Sequence, residues 1–417
     1  MTSHHSPAGA SAGATAETLW AIFAGLSASL VGIGLARFAY TPLLPPMIQQ
    51  HWFAASSVAS LGAANLAGYL LGALGGRGPA RYGSPVAVMR LMMLLTSVSF
   101  LACAFPLSEV WFFCWRLLSG VSGGAIMVLV SGVVLHQVPA EKRGLASGAI
   151  FLGIGLGVAL SGTLVPLMLT VSLRAARLTL GGTALLLTFA SWGAWPARDG
   201  AHEVPTLTSP RRGRMSRPMR LLMAQYALMA VGLVPEMMFL VDYVSRALGK
   251  GGGLGAAAWV AYGAGAMAGP VLYGLAADRW GVRAAIRLAL GTQVVAVLGL
   301  MAATGNATLI ALAAVIGSFP AGVVPLALGR VHELMEDPHA RQAMWSRATV
   351  SFALAQALSG YVYSTVYGLS GGQHQVLFGL GAGALLIAFA LDARGQDIAP
   401  QPRPGPPPVG APLGRAS

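Results

Sequence analysis

Charged side chains are scarce in this sequence. Of its 417 residues only 9% are Asp, Glu, Lys or Arg, whereas 55% are hydrophobic. Soluble proteins carry roughly 25% charged residues, so there is too little charge here to cover a surface in water. Twelve helices of about 20 residues would occupy roughly 240 positions and leave short loops and two tails. The composition excludes a soluble globular protein and predicts a polytopic membrane protein.

Cysteine is also rare, since the chain has only Cys103 and Cys114, both in apolar stretches. Two cysteines cannot form a disulfide framework or a four-ligand zinc site. Residues 1–18 contain no Lys or Arg, so we do not expect a cleaved signal peptide. No glycine-rich loop is followed by Lys-Ser/Thr, so no nucleotide-binding loop is predicted and ATP-driven transport by this chain alone is excluded.

Long apolar runs predict twelve transmembrane helices, six in each half of the chain. A polar stretch at 197–218 separates a predicted six-helix bundle at 19–196 from a second at 219–391. We expect a flexible tail at 1–18 and a disordered tail, rich in Pro and Gly, at 392–417. The approximate spans are 19–42, 56–76, 85–106, 111–135, 145–169, 176–196, 219–243, 256–277, 284–303, 308–331, 348–369 and 375–391.

Basic residues are distributed unevenly among the loops. Placing both termini in the cytoplasm puts 20 Lys and Arg on the cytoplasmic side and 4 outside, with Arg37 and Arg116 inside spans. Positive residues favour cytoplasmic loops, so this bias predicts an inner or plasma membrane protein with both termini inside. The same bias explains the net charge of +13 without nucleic acid as a partner. The outside residues are Arg174, Arg177, Arg246 and Lys250.

The two halves resemble each other. With an offset of 198 residues, Arg81-Tyr82-Gly83 falls on Arg279-Trp280-Gly281, Gly76 on Gly274 and Gly34 on Gly232. Parallel halves related by an axis along the membrane normal are a known transporter architecture. The sequence therefore predicts an all-α fold of two pseudo-symmetric bundles.

Three motifs resemble the major facilitator superfamily. The loop from Gly274 to Arg283, which reads GLAADRWGVR, looks like its loop signature, and Arg116-x-x-x-Gly120-x-x-x-Gly124 resembles its fourth-helix signature. The stretch 34–45, GLARFAYTPLLP, resembles the first helix of the YbfB/YjiJ-like branch. The resemblance covers residues 19–391 and implies a secondary transporter that works by alternating access, coupled to protons.

Two departures from the superfamily pattern affect this implication. Ala80 occupies the acidic position of the first-half loop, so the charge latch that this loop implies is expected only in the second half. There it involves Gly274, Asp278, Arg279, Gly281 and Arg283. The fifth helix also lacks the Gly-Pro pair typical of antiporter signatures, which weakens an exporter assignment.

Arg37 lies deep in the first predicted span. A charge at mid-membrane costs about 2.5–3.5 kcal/mol on insertion scales, so it should face a partner or a wet cavity. We expect its guanidinium to grip an anionic group of the substrate, with Tyr40 and Thr41 adding donors on the same face. The alternative is a structural Arg that ties the first helix to neighbouring carbonyls.

Glu236 lies in the seventh helix, one residue past the position equivalent to Arg37. We expect it to line the cavity and exchange a proton as substrate occupies Arg37; a permanent ion pair with Arg37 is the alternative. Arg116 is interpreted either as a proton-relay residue or as a buried structural one. Tyr262 is a further candidate for the pathway, although most aromatic residues in membrane helices pack or lie at interfaces.

Three classes of function compete for this sequence. A proton-coupled transporter of a small organic solute, with an organic anion favoured by Arg37, is predicted first. Proton-antiport export of lipophilic cations is the alternative that Glu236 and the aromatic residues support. The second class, a membrane-embedded enzyme such as an acyl or glycosyl transferase, is not predicted, because it needs a cluster of catalytic Asp, Glu or His at one membrane face and the charges are scattered. The third class is a non-transporting sensor or lipid-handling scaffold. We expect a monomer in the lipid bilayer with no cofactor or metal, driven by the proton gradient.

Overall fold

The structure, a computed structural model, describes residues 8–76, 78, 84–135, 138–139, 142–195, 215–335 and 337–394. These residues form twelve long helices, labelled α1 to α12, and no strand. Helix α1 has the segments Ala8–Ser29, Leu30–Leu35, Ala36–Phe38 and Tyr40–Gln49, of which Leu30–Leu35 is a π-helix. The other helices of the N-terminal bundle are α2 (Ala55–Gly75), α3 (Pro85–Ala102), α4 (Glu109–Leu135), α5 (Arg143–Leu169) and α6 (Leu173–Ala190).

The C-terminal bundle repeats this pattern. Its first helix, α7 (Arg217–Asp242), continues into a π-helical segment at Tyr243–Ala247. The remaining helices are α8 (Gly251–Trp280), α9 (Val282–Ala302), α10 (Asn306–Leu334), α11 (Pro338–Leu369) and α12 (His374–Arg394). The predicted fold class, twelve helices in two bundles, is confirmed for the part of the chain that the structure describes.

The helices extend beyond the apolar runs that predicted them. Helix α8 runs from Gly251 to Trp280 and α11 begins at Pro338, because a helix continues past the membrane where polar residues follow. Helix α1 begins at Ala8, inside the predicted tail, and α12 ends at Arg394. Most of the predicted linker, and the tail from residue 395 onward, lie outside the described residues.

Ten of the described helices are long and apolar enough to cross a membrane. The two others are α6, which carries Arg174 and Arg177, and α11, whose first half is polar. Both helices pack within the bundles as the pseudo-symmetric arrangement requires. They therefore complete the set of twelve although their composition is less apolar than that of the other ten.

Glycines hold the two halves of each bundle together. A Cβ on Gly68 or Gly120 would lie 2.0 or 2.1 Å from a carbonyl oxygen of the facing helix, so α2 and α4 pack with their backbones in contact. Gly265 and Gly317 make the same close approach between α8 and α10, at 1.9 and 2.0 Å. The second pair follows the first at an offset of 197 residues, one fewer than the offset of 198 read from the loops. Small residues at helix contacts are the expected means of packing in lipid.

One Gly-x-x-x-Gly spacing, a common packing motif of membrane helices, is not used in this way. Gly379 and Gly383 in α12 face open space, with nothing within 4 Å of an added Cβ. By contrast, a Cβ on Gly153 or Gly157 in α5 would meet the backbone of α1, at 2.4 and 2.6 Å. A Gly-x-x-x-Gly spacing therefore marks close packing only where a helix faces it.

The two bundles meet along two related seams, α5 against α8 and α2 against α11. At the first seam a Cβ on Gly263 would lie 2.6 Å from the backbone nitrogen of Ala159. Helices α1 and α7 also meet, because the Thr41 hydroxyl donates to the Met237 carbonyl at 2.6 Å. A cavity lies between the bundles, framed by these helices.

Candidate functional site

The central cavity contains about 620 Å³ of space between atoms. Most of its lining is apolar, with aromatic side chains from both bundles. The polar lining residues are few and convergent, as in many small-molecule sites. They are Arg37 of α1, Tyr69 of α2, Tyr262 of α8 and Gln356 of α11.

Arg37 is the cationic side chain of this cavity. Its Nη2 donates to Oε1 of Gln356 at 2.6 Å, across the seam between the bundles. The guanidinium carbon lies 5.2 Å from the centre of the Tyr69 ring, within the range of a cation–π contact. The Nε donor is buried and has no hydrogen-bond partner. Arg37 is therefore held by neutral groups and keeps a donor for a further acceptor.

The position of Arg37 follows from the local structure of α1. The π-helical segment Leu30–Leu35 ends two residues before it, and such bulges are frequent at functional sites because they shift the direction of the following side chains. Gly34 lies against α5, and a Cβ added to Gly34 would be 2.9 Å from the Cα of Gly157. This close backbone contact fixes the helix at the depth of the cavity.

Tyr262 lies on the opposite side of the cavity, on α8. Its ring stacks on Trp259 with centroids 4.7 Å apart, and Trp259 in turn donates its Nε1 to Ser161 of α5 at 3.1 Å. The Tyr262 hydroxyl is buried and has no partner among the described residues. The predicted Tyr262 thus lies at the cavity, with a second unpaired donor.

Tyr40 and Thr41, predicted beside Arg37 in the binding site, do not line the cavity. The Tyr40 hydroxyl donates to the Val58 carbonyl at 2.6 Å, and Thr41 bonds Met237 across the bundles. Helix α1 is interrupted at Ala39, between the segments Ala36–Phe38 and Tyr40–Gln49, so Tyr40 and Thr41 do not keep the one-turn spacing that would put them on the face of Arg37. In this conformation both hydroxyls serve helix packing.

Arg116 is buried inside the N-terminal bundle and also lies away from the cavity. Its Nη1 donates to the Ala36 carbonyl at 2.8 Å and its Nε to the Leu61 carbonyl at 3.4 Å. Its guanidinium carbon lies 4.2 Å from the centre of the Tyr40 ring. These contacts tie α1, α2 and α4 together, which is the structural one of the two interpretations considered for it. Its role in proton transfer stays a prediction.

Glu236 is completely buried, and neither carboxyl oxygen has a hydrogen-bond partner among the described residues. It forms no ion pair with Arg37, which contacts Gln356 instead, and it is not part of the cavity lining. The phenols of Tyr262 and Tyr363 are the ionisable groups close enough to interact with it electrostatically. Glu236 thus lies behind the cavity wall, next to Tyr262.

The loop motif between α8 and α9 is exposed at one end of the molecule. Gly281 has φ of +85°, a conformation that suits glycine and allows the sharp turn between the helices. Asp278 and Arg279 are exposed, and Asp278 forms no ion pair with a described residue. Gly274 has open space around it. The corresponding first-half residues 79–83, including Ala80, lie outside the described residues.

The acid that engages this loop is Asp392, at the end of α12. Its carboxylate pairs with Arg287, and Arg283 donates its Nη2 to the Asp392 carbonyl at 2.7 Å. The sequence analysis placed Asp392 in the disordered tail, because a Pro- and Gly-rich stretch follows it. In this conformation the ionic contact of the motif therefore involves Arg283 but not Asp278.

The chain was compared with known families and solved structures. A family model described as "Uncharacterised MFS-type transporter YbfB" matches residues 29–393. The chain belongs to this family. It is therefore a membrane transporter of the major facilitator type, as the loop and first-helix motifs implied. No curated protein matches the sequence.

Solved structures of two transporters have the same fold. A mutant of the nucleoside transporter NupG has a TM-score of 0.71 at 13% identity, with 90% of this chain and 99% of that chain covered. A bacterial homolog of the human lysosomal transporter Spinster, inward-facing and occupied, has a TM-score of 0.65 at 13% identity; coverage is 94% and 97%. At this identity the likeness shows that the YbfB-type chain has the major facilitator fold and nothing about its substrate.

A buried polar cluster in the C-terminal bundle was not predicted. Asp242 is completely buried and accepts hydrogen bonds from Arg246 at 2.5 Å and from Tyr367 at 2.9 Å. Nε2 of His374, at the start of α12, lies 2.8 Å from the same carboxylate. Asp242 lies near the end of a predicted span, a position typical of an interfacial charge. Arg246 is four residues further along the chain, but Tyr367 and His374 lie more than 120 residues away in α11 and α12, so only packing reveals the whole cluster.

Tyr69 and Gln356 are the cavity residues that sequence reasoning left unassigned. Gln356 is an amide within an apolar span, where such side chains usually hydrogen-bond between helices, as it does with Arg37. Tyr69 follows Gly68, a glycine at the α2–α4 contact. Its position next to that glycine is the sequence feature that could have indicated a role for Tyr69 in the cavity. A residue next to a packed glycine points away from that contact and, in α2, toward the cavity.

Proposed function

We propose that this YbfB-type transporter carries a small organic anion through the central cavity, coupled to protons. The observation that supports the anion is that Arg37 lies in the cavity with only a neutral amide as its hydrogen-bond partner. Its Nε and the Tyr262 hydroxyl are unpaired donors. A carboxylate accepts such donors and neutralises the guanidinium.

The shape of the cavity adds a second requirement. Aromatic rings of Phe38, Tyr69, Phe151, Tyr262 and Phe352 lie in the remaining wall among aliphatic side chains. An apolar or aromatic group attached to the carboxylate would pack against these rings. A strongly hydrated polyanion would lose water on entering the cavity and would find no polar partners along this part of the wall. The substrate class we propose is therefore an amphipathic monocarboxylate.

Glu236 is the proposed proton carrier. An isolated carboxylate in apolar surroundings is costly, whereas the neutral acid is tolerated. The carboxyl group interacts electrostatically with Tyr262, a residue of the cavity lining, which supports a proton site beside the substrate site. We propose that exchange of this proton accompanies the change of access, with both termini in the cytoplasm and the protein in the inner or plasma membrane.

The second candidate is export of a lipophilic cation. The buried, unpaired carboxyl of Glu236 and the aromatic wall favour it, but the guanidinium of Arg37 opposes a cation in the same cavity. The nucleoside named for the NupG structure supplies a neutral solute for comparison. A sensor without transport, and an enzymatic activity, are the remaining alternatives, and both lack a supporting contact in the described residues.

The experiment is uptake into proteoliposomes, combined with thermal stability of the purified protein against aromatic and aliphatic monocarboxylates, lipophilic cations and nucleosides. We expect stabilisation and proton-dependent flux with a monocarboxylate, both lost in Arg37→Met. Stabilisation by cations that depends on Glu236 would replace the proposal with the exporter. Ligand binding without flux would favour the sensor.

A further inference from the structure

A second pocket lies inside the N-terminal bundle and shares no lining residue with the central cavity. It is a narrow space between α1, α3, α4 and α6. Two arginines line it, Arg116 of α4 and Arg177 of α6, with 5% and 2% of their surfaces exposed. The charge distribution predicts Arg177 on the outside, at the start of the sixth span, so its burial is a finding of the structure.

Arg177 has weak partners for a buried cation. Its Nη2 donates to the thioether sulfur of Met47 at 2.8 Å, and its Nε has no partner. Its guanidinium carbon lies 4.6 Å from the Phe112 ring centre and 5.6 Å from that of Trp52. Thioethers are weak acceptors, so most of the hydrogen-bonding capacity of this guanidinium is unused.

No carboxylate balances these charges in the described residues. The N-terminal bundle has carboxyl groups at Glu17 and Glu109 in its described ranges, and both are exposed. Tyr40 and Cys103 are the other ionisable groups that face the two arginines, and both are ordinarily neutral near pH 7. The C-terminal bundle differs, since Asp242 there balances Arg246.

The two guanidinium groups also repel each other across the pocket. An isolated buried cation is expensive, and buried charges are normally paired. Two like charges beside a small polar space, with a buried donor free, describe a site that lacks its anion. Ser99 and Cys103 in the lining can contribute further polar contacts.

We propose that this pocket binds a small monovalent inorganic anion of the halide class, held between Arg116 and Arg177. The pocket leaves room for about one water molecule, which suits a single small ion rather than an organic solute. The ion would join α6 to α4 and, through Met47 and Tyr40, to α1. It therefore stabilises the N-terminal bundle independently of substrate.

The test is thermal unfolding of the purified protein at constant ionic strength, with chloride or bromide replacing gluconate. We expect the Tm to rise with halide and to saturate. In Arg177→Met, which keeps the apolar contacts, the half-saturating halide concentration should rise about ten-fold or more, the effect of losing a charge-assisted hydrogen bond. No halide-specific shift in the wild type would overturn the proposal.

Arg174→Met is the matched control, because Arg174 lies one turn away on the same helix, is exposed, and carries the same charge. Its halide response should equal that of the wild type; an equal loss in both variants would show a surface effect and refute the site. Arg37→Met should also keep the response, which separates this site from the proposed substrate site. Failure of Arg37→Met to lose substrate binding would leave the halide result intact.

A direct measurement does not depend on the variants folding. Crystals of the wild-type protein grown in bromide and measured at the bromine absorption edge should show an anomalous peak between Arg116 and Arg177. A well-ordered structure with no peak there would overturn the proposal.

Discussion

Replacing Arg37 by methionine should abolish ligand binding while leaving the fold as stable as before. In the structure without ligand, Arg37 makes one charge-assisted hydrogen bond, to Gln356, worth about 1.5–3 kcal/mol, and a cation–π contact worth about 0.5–2 kcal/mol. Burial of an ion costs several kcal/mol, and a hydrophobic replacement of similar volume is often neutral or stabilising. The two effects nearly cancel, so we expect a change in unfolding free energy within about 1 kcal/mol.

Binding should change far more. Truncating one partner of a buried charge pair costs about 2–5 kcal/mol, which corresponds to a Kd raised about 30-fold to several thousand-fold. The assay is the ligand-induced rise in Tm, measured over a range of carboxylate concentrations and compared with uptake in proteoliposomes. A Kd within about three-fold of wild type in well-folded Arg37→Met would refute the role of Arg37.

Arg116→Met is the matched control, because it removes the same group from a site where the guanidinium bonds two backbone carbonyls. Losing these two charge-assisted hydrogen bonds should cost about 1.5–3 kcal/mol each. We therefore expect a lower Tm and little direct effect on ligand affinity, the opposite pattern to Arg37→Met. If both variants behaved alike, the structural difference between the two arginines would be wrong.

Three further predictions concern other parts of the molecule. Glu236→Gln should keep substrate binding but make uptake independent of pH, because the proposed proton carrier is removed; an unchanged pH profile in proteoliposomes would reject that role. Asp242→Asn should lower the unfolding free energy by about 3 kcal/mol, since it breaks a buried ion pair, whereas Asp278→Asn, at an exposed site, should leave the Tm unchanged. Gly265→Ala should lower the Tm and the yield, because the added Cβ would lie 1.9 Å from a carbonyl oxygen, while Gly379→Ala, which faces open space, should behave as wild type.

The buried Asp242 cluster explains why one variant is expected to be so costly. His374 and Tyr367 reach Asp242 from α12 and α11, while Arg246 reaches it from the segment that follows α7. The cluster thus joins three helices at one end of the C-terminal bundle. The N-terminal bundle has cations but no buried carboxylate in its described ranges, so the repeated fold carries different electrostatics in its two halves.

The sequence by itself determined the class of protein, the number of helices and the family. The free energy of transferring a helix into lipid depends on the composition of that segment alone, so apolar runs predict the membrane helices. The loop and first-helix motifs are also contained in short segments, so they can be read without the tertiary structure. Arg37 was found for the same reason, because a charge within an apolar run is costly wherever the helix is placed. The limits of the spans were less well predicted, since apolar runs end where the membrane ends and helices continue.

Only the tertiary structure decided which polar groups meet. Arg37 and Gln356 are separated by 319 positions, and Asp242 and His374 by 132. Rotation of a helix about its axis decides whether a residue faces lipid, a neighbouring helix or the cavity, which is why Tyr69 of α2 belongs to the site. Tyr40 and Thr41 do not belong to it, because α1 is interrupted at Ala39 and the face of Arg37 is not continued past that residue. Such rotations depend on close glycine contacts between distant helices, and hydropathy along the chain carries no information about those contacts.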